Sequence, residues 1–219
     1  MELQSNRRIK TVCVLCGSRF GNDIRYAIAA SELGRTLAEQ KLNVVYGGGS
    51  RGLKGCVAQA AQLRQTKVVG VMPLPLATSS ISGFACGELI QTRSMSENMA
   101  CKIYQSDAFI ALPGGFGTLE EIFCTISWAQ LNLHAKPIGL LNVNNFFDGL
   151  LSFLDQAVKK GFISPTTRKI LISASSIKEL MDELQAYVPQ VDPAEPRIDW
   201  SLAIKSKRQK APLNLELSL

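Results

Sequence analysis

The sequence lacks most of the signals that settle a function at first reading. No stretch approaches the ~18 to 20 continuous apolar residues that a membrane-crossing helix needs, so no membrane span is expected. The opening residues Met1 to Arg8 contain no apolar core and do not read as a signal peptide. Histidine occurs once, at His134, and aromatics make up only 7% of the chain. Basic clusters interleaved with aromatics are missing, and with them the footprint of a nucleic-acid surface. No G-x-x-x-x-G-K-[ST] occurs, which removes the P-loop NTPases. Cys16-Gly17-Ser18-Arg19-Phe20-Gly21 falls short of the complete G-x-G-x-x-G of a dinucleotide site, which weighs against hydride transfer.

What is present suffices for one sizeable domain: 219 residues, 46% of them hydrophobic, can fill a core. A net charge of +6 is mildly basic and suits an anionic ligand such as a nucleotide, although scattered solvated Lys and Arg give the same total. Six cysteines (13, 16, 56, 86, 101 and 124) sit mostly in apolar or Gly-rich surroundings and read as reduced, buried, small hydrophobes. Cys13 and Cys16 form a C-x-x-C, yet on a strand residues three apart point to opposite faces. With no second C-x-x-C and His134 far away, no metal site is expected.

Strand-like and helix-like segments alternate. Strands are expected at Ile9 to Leu15, Asn43 to Tyr46, Lys67 to Met72, Glu88 to Gln91, Ala108 to Leu112, Ile138 to Leu141 and Ile170 to Ile172. Helices are expected at Asp23 to Gln40, Lys54 to Leu63, Ser94 to Gln105, Thr118 to Leu131, Phe146 to Lys160 and Ser176 to Tyr187. Ser94-Met-Ser-Glu97 and Ser176-Ile-Lys-Glu179 have capping-box form. This alternation predicts an α/β fold: a Rossmann-like, doubly wound parallel sheet with helices on both faces, spanning residues 9–187. Residues 1–8 are read as a flexible N-terminus and 188–219 as an extended tail, rich in proline and charge. The tail closes on Leu213-Asn-Leu-Glu-Leu-Ser-Leu219, whose alternating leucines could add a strand to a neighbour or dock in a partner's groove. The same end resembles the L-x-L-x-L repression motif of plant transcriptional regulators.

Three strands run into glycine turns: Gly17-Ser18, Gly47-Gly48-Gly49-Ser50 and Gly114-Gly115-Phe116-Gly117-Thr118. Glycine lets backbone approach a ligand, and a helix start beyond it offers free N–H groups and a positive dipole end to a phosphate. Three such turns ending parallel strands point to a phosphorylated nucleoside. Glu121 stands beside the third turn. Either its carboxylate faces a bound sugar, or Thr118-Leu-Glu-Glu121 is a capping box with Glu121 reaching back to the Thr118 amide. The residues alone leave both open.

Pro113-Gly-Gly-Phe-Gly-Thr-Leu-Glu-Glu121 matches the P-G-G-x-G-T-x-x-E signature of the LONELY GUY family. The resemblance covers about residues 9 to 187. It includes Tyr46-Gly-Gly-Gly-Ser-Arg-Gly-Leu53, Gly70-Val-Met-Pro73, Ser106-Asp-Ala-Phe-Ile-Ala-Leu112, Trp128-Ala-Gln-Leu131 and His134 to Asn142. These proteins are cytokinin-activating phosphoribohydrolases, formerly often labelled lysine decarboxylases; nothing here marks a lysine as a Schiff-base site. The resemblance implies hydrolysis of the N-glycosidic bond of a cytokinin riboside 5′-monophosphate, with Glu121 catalytic and no metal or organic cofactor. It implies a small-molecule nucleoside monophosphate as ligand and a homodimer. Gly115, Phe116, Gly117, Thr118, Leu119, Glu120 and Ser127 are implied to bind substrate, with Ser127 standing for the usual threonine.

The chain also departs from the family pattern. The family's catalytic arginine lies in a helix start of the form M-H-x-R-K, and here Asn98 and Met99 hold the arginine and lysine positions. Ser80 stands where a loop glutamate is usual. Arg93, five residues before Asn98, either replaces the lost cation or is an ordinary exposed loop residue. Two readings follow: a hydrolase, slowed or altered in base preference, or a catalytically impaired relative that binds nucleotide or docks a partner. Cytoplasm is the default location, with the nucleus open to a chain of this size.

Overall fold

The apolar, β-branched runs form seven strands: β1 (Thr11–Leu15), β2 (Asn43–Tyr46), β3 (Val68–Pro73), β4 (Glu88–Thr92), β5 (Ala108–Ala111), β6 (Ile138–Leu141) and β7 (Leu171–Ala174). A computed structural model describes residues 8–190 together with 192, 198 and 200. The strands make one sheet in the order β4-β3-β2-β1-β5-β6-β7, with every neighbouring pair parallel. The chain builds outward from β1 to β4, then returns to place β5 on the other flank of β1. The order therefore reverses between β1 and β5, the position where open α/β sheets bind ligands.

Among the described residues eight α-helices flank the sheet: α1 (Ile24–Glu39), α2 (Gly52–Gln62), α3 (Ser79–Ser82), α4 (Met95–Gln105), α5 (Phe116–Gln130), α6 (Asp148–Lys159), α7 (Pro165–Arg168) and α8 (Ile177–Ala186). Side chains alternate along β1, so Val12 and Val14 enter a core with Leu33, Leu37, Val57 and Leu180 from α1, α2 and α8. Cys13 and Leu15 enter the opposite core with Met99, Ile103, Ile122 and Leu154 from α4, α5 and α6. Helices thus cover both faces, as the alternation predicts. The same alternation separates the C-x-x-C: Cys16 belongs to the first core and Cys13 to the second. Burial pushes both thiols up to about 12, so they stay protonated and poorly suited to metal. Among the described residues no group of three or more His, Cys, Asp or Glu side chains could hold a metal ion, and no helix is long and apolar enough to cross a membrane.

The short helices α3 and α7 lie in stretches where the sequence shows no period, because four residues are too few to display one. Three helix starts are displaced by two residues, and the one that bears on the site is α5, expected from Thr118 but starting at Phe116 with Gly115 as its N-cap. Ser94 and Ser176 cap as expected, accepting from the amides of Glu97 at 3.1 Å and Glu179 at 3.3 Å. At the first of these caps the Glu97 carboxylate accepts from the Arg93 amide at 2.7 Å, one residue before the N-cap. The far end of α4 is held by the Lys136 ammonium, which donates to the carbonyls of Ile103 and Ser106, a cation at the negative end of the helix dipole. Of the tail, Trp200 donates its indole N–H to the Leu131 carbonyl at 2.7 Å. Residues 1–7 and the leucine-patterned end, Leu213 to Leu219, lie outside the described residues.

His134 ties the end of α5 to the strand that follows. Its Nε2 donates to the Thr125 carbonyl at 2.8 Å, and its Nδ1 accepts from the Lys136 amide at 3.2 Å, a pattern that needs the neutral ring. Burial, the largest effect, lowers its pKa below the ordinary 6.5; the Thr125 carbonyl opposes it in part, and the Lys136 charge adds a smaller lowering. The folded state therefore binds this proton more weakly than the unfolded chain. Its contribution to stability is complete above the unfolded value and is lost as pH falls through 6.5 toward the lower folded value. The urea midpoint should drop between about pH 7.5 and 5.5, and the drop should shrink in His134→Asn. A midpoint that ignores pH, or falls equally in the variant, would contradict this account.

Candidate active site

At the carboxyl end of the sheet, over the switch point, the glycine turns enclose a cavity of about 620 Å³. That is the size of a small-molecule site. Its floor is set by contact between two turns. The Gly17 amide donates to the Pro113 carbonyl at 3.0 Å. A Cβ on Gly17 would stand 3.2 Å from the Gly114 Cα, and one on Gly114 would stand 2.1 Å from Thr118 Oγ1. These two glycines are therefore demanded by packing.

Gly115 and Gly117 are different, since a Cβ at either would meet nothing within 4 Å. Gly115 caps α5 with no side-chain hydrogen bond. The first intrahelical amide partner is Leu119, which donates to the Gly115 carbonyl at 3.1 Å. The amides ahead of it, through Thr118, have no acceptor in the helix and face the cavity with the positive end of the dipole. This arrangement suits a phosphate.

Glu121 occupies the second turn of α5, 8% exposed. The capping-box alternative fails because Gly115, three residues before Thr118, is the N-cap. Freed from the helix start, the Glu121 carboxylate lines the cavity and accepts through Oε1 from the Lys102 ammonium, itself only 2% exposed. Lys102, from α4, is the functional residue that the sequence reading missed, and Lys54 of α2 also lines the cavity unforeseen. The available signal for Lys102 was its spacing: four residues after Asn98, it shares a helix face with it. Glu120 lines the rim and is exposed. Its carboxyl pKa is raised, by partial burial first and then by the Glu121 charge, with Lys102 acting against both.

Among the expected site residues, Gly17, Ser18, Gly47, Asn98, Gly114 to Thr118, Glu120 and Glu121 come together around the cavity. Asn98 is 2% exposed, and its Nδ2 donates to Thr92 Oγ1 at 3.4 Å. Six others lie elsewhere. Met99 is one residue around α4 from Asn98 and faces the core instead. Leu119 packs on that same core. Gly48 and Gly49 adopt positive φ, and a Cβ there would strike Met72 Cε at 2.4 Å and the Ser82 carbonyl at 2.4 Å. They serve packing on β3 and α3. Ser80 is exposed on α3, its carbonyl accepting from Arg51 Nη2 at 2.8 Å, and Ser127 is exposed on α5. Arg93 is an exposed loop residue that takes no part in the cavity lining.

The open space at Gly117 yields a test. Gly117→Ala should leave the urea midpoint unchanged or raised, by at most about 1 kcal/mol of helix propensity. It should weaken binding of ribose 5-phosphate, measured calorimetrically, by about tenfold or more, because a methyl group then occupies the anion's place. Equal binding by the variant would show that the amides of this turn are not the phosphate site.

The family model described as "possible lysine decarboxylase" matches residues 55–184. Two cytokinin riboside 5′-monophosphate phosphoribohydrolases of Arabidopsis thaliana are similar along nearly their whole length. One is 46% identical over 92% of this chain and 94% of its own. The other is 45% identical over 90% and 91%. Among solved structures, the molybdenum cofactor binding protein of the phototrophic bacterium Rippkaea orientalis covers 83% of this chain and 98% of its own at a TM-score of 0.61. Its sequence identity is 20%, so that likeness concerns the fold alone. The identities to the plant proteins, their coverage and the match through the glycine turn and Glu121 agree: this chain belongs to the LONELY GUY family.

Proposed function

We propose that the chain hydrolyses the N-glycosidic bond of cytokinin riboside 5′-monophosphates, releasing the free base and ribose 5-phosphate. The observation that carries this reading is a buried carboxylate, Glu121, one turn beyond an uncapped helix start in a cavity of nucleotide size. The activity named for the Arabidopsis relatives supports it. A phosphate on the first-turn amides of α5 leaves the ribose to extend along the helix. Phe116 to Glu121 rises about 7.5 Å along the axis, comparable to the span from a 5′-phosphate to the anomeric carbon. As the C1′–N bond breaks, positive charge develops on the sugar, and the Glu121 carboxylate stabilises it. Water completes the reaction: its oxygen bonds to C1′ and a proton passes to the departing base.

The purified chain should release base from isopentenyladenosine 5′-monophosphate and much more slowly from the riboside, which cannot use the α5 amides. Glu121→Gln should lower kcat by about 10² to 10³, the usual cost of one preorganised electrostatic contact. Equal turnover of the two substrates, or undiminished activity in Glu121→Gln, would sink this reading.

The functional unit is proposed to be a homodimer. Phe116, 93% exposed, shares a stripe of α5 with Phe123 and Ser127 at spacings of seven and four residues, and Tyr104 on α4 is 86% exposed. A dimer through this face would also bring Ser127 into an interface. Light scattering should give twice the chain's 23.8 kDa. A monomer at micromolar concentration would count against it.

A further inference from the structure

Within α4 four side chains are buried, and they divide into two adjacent stripes: Met99 and Ile103 face the core, while Asn98 and Lys102 line the cavity. The polar stripe is unusual in composition. It carries one amide and, one turn later, a fully buried ammonium paired with Glu121 on the neighbouring helix. We propose that Lys102 is the positioning residue of this site: it holds the Glu121 carboxylate in place as an anion and supplies, one helical turn along, the cation that Asn98 lacks. The inference rests on the hydrolase reading for its kinetic consequences, but not for its electrostatic ones.

Three considerations carry it. A buried carboxylate without a cation is costly, and no other ammonium or guanidinium hydrogen-bonds Glu121 among the described residues. The pair stands in the wall of the ligand cavity instead of the closed core, so its charge acts on whatever enters. And the reach is right: on a helix, residues 98 and 102 share a face about 6 Å apart along the axis, and the four-carbon lysine stem spans what the short Asn98 side chain cannot. With Lys102 in place, Glu121 presents little net charge to an incoming nucleotide phosphate. It still offers carboxylate oxygen to a sugar that turns cationic in the transition state. Without Lys102, the same carboxylate would repel the phosphate and lose its fixed orientation.

The test is a set of variants read by kinetics and by binding of adenosine 5′-monophosphate. Lys102→Met should lower kcat on isopentenyladenosine 5′-monophosphate by about 10² to 10³. It should weaken calorimetric binding of adenosine 5′-monophosphate by about tenfold or more, since an unpaired carboxylate then faces the anion. Moving the cation back one turn, in Lys102→Met with Asn98→Arg, should recover at least about tenfold in kcat, a gain that a purely structural lysine would not allow. Neutralising both partners, in Lys102→Met with Glu121→Gln, should restore binding to within about threefold of the native chain while leaving kcat at least about 10² below native.

Lys102→Met with kcat and binding both within about threefold of native would overturn the proposal, as would a folded Asn98→Arg, Lys102→Met protein with no recovery. Should Lys102→Met fail to fold, the two double variants are read against the native chain: kcat of Asn98→Arg, Lys102→Met within about tenfold of native and nucleotide binding by Lys102→Met, Glu121→Gln within about threefold uphold the proposal, and a larger loss in either overturns it. Should the native chain release no base, the hydrolase reading fails. The binding series then decides on Lys102: weakened in Lys102→Met and restored by Glu121→Gln upholds it, and unchanged throughout rejects it.

Discussion

A charged carboxylate buried at the mouth of a parallel sheet needs a cation at hydrogen-bonding distance, and Lys102 meets that need across the gap between α4 and α5. Removing one partner of such a pair commonly costs about 3 to 5 kcal/mol. Much of the local structure can be understood as fixing the two helices that carry it. Ser94 and Glu97 pin the start of α4, and Lys136 binds the carbonyls at its end. The glycine turn after β5 sets where α5 begins, and hence that Glu121 falls in its second turn. Met99, Ile103 and Ile122 seat both helices on the same sheet face.

The second constraint is the reversal of strand order at β1. Because β1 pairs with β2 on one side and β5 on the other, the turns after β1 and β5 are forced side by side. Gly17 and Gly114 make that contact possible, and it opens the first turn of α5 to solvent above them. Glycines in one region thus do two jobs that their residue type does not separate. Gly17, Gly114, Gly48 and Gly49 allow backbone and side chains to pack closely. Gly115 and Gly117 leave space that no protein atom fills.

That division explains what was legible in the sequence. The sheet, its helices and its ligand edge follow from periodicity and turn chemistry, both of which are local. Glu121 was visible because it sits a fixed distance from a glycine motif on its own helix. Its partner was harder to see, because Lys102 lies on another helix and, among 24 Lys and Arg residues, only its spacing of four from Asn98 marks it. Met99 was misplaced for a related reason. A motif aligns positions in a row, but on a helix adjacent residues diverge by about 100°, so Asn98 lines the cavity while Met99 enters the core. The start of α5 was displaced because Thr118 and Glu121 have the form of a capping box, whereas Gly115 satisfies the helix geometry with no side chain at all.

The fold does not by itself distinguish an enzyme from a binding protein. The Rippkaea orientalis molybdenum cofactor binding protein shares it at a TM-score of 0.61 and 20% identity. In this chain the charges within the cavity carry the argument. A site whose whole task is to hold an anion gains nothing from an acid beside the phosphate cradle. The acid repels the ligand, and its burial demands a buried cation in compensation. Here Glu121 lies one turn from the free amides at the start of α5, and Lys102 places a positive charge against the carboxylate without removing it. Such an arrangement becomes favourable only when positive charge appears on the bound molecule after binding, as it does on a sugar losing its base. The pair is therefore better matched to a transition state than to a resting nucleotide.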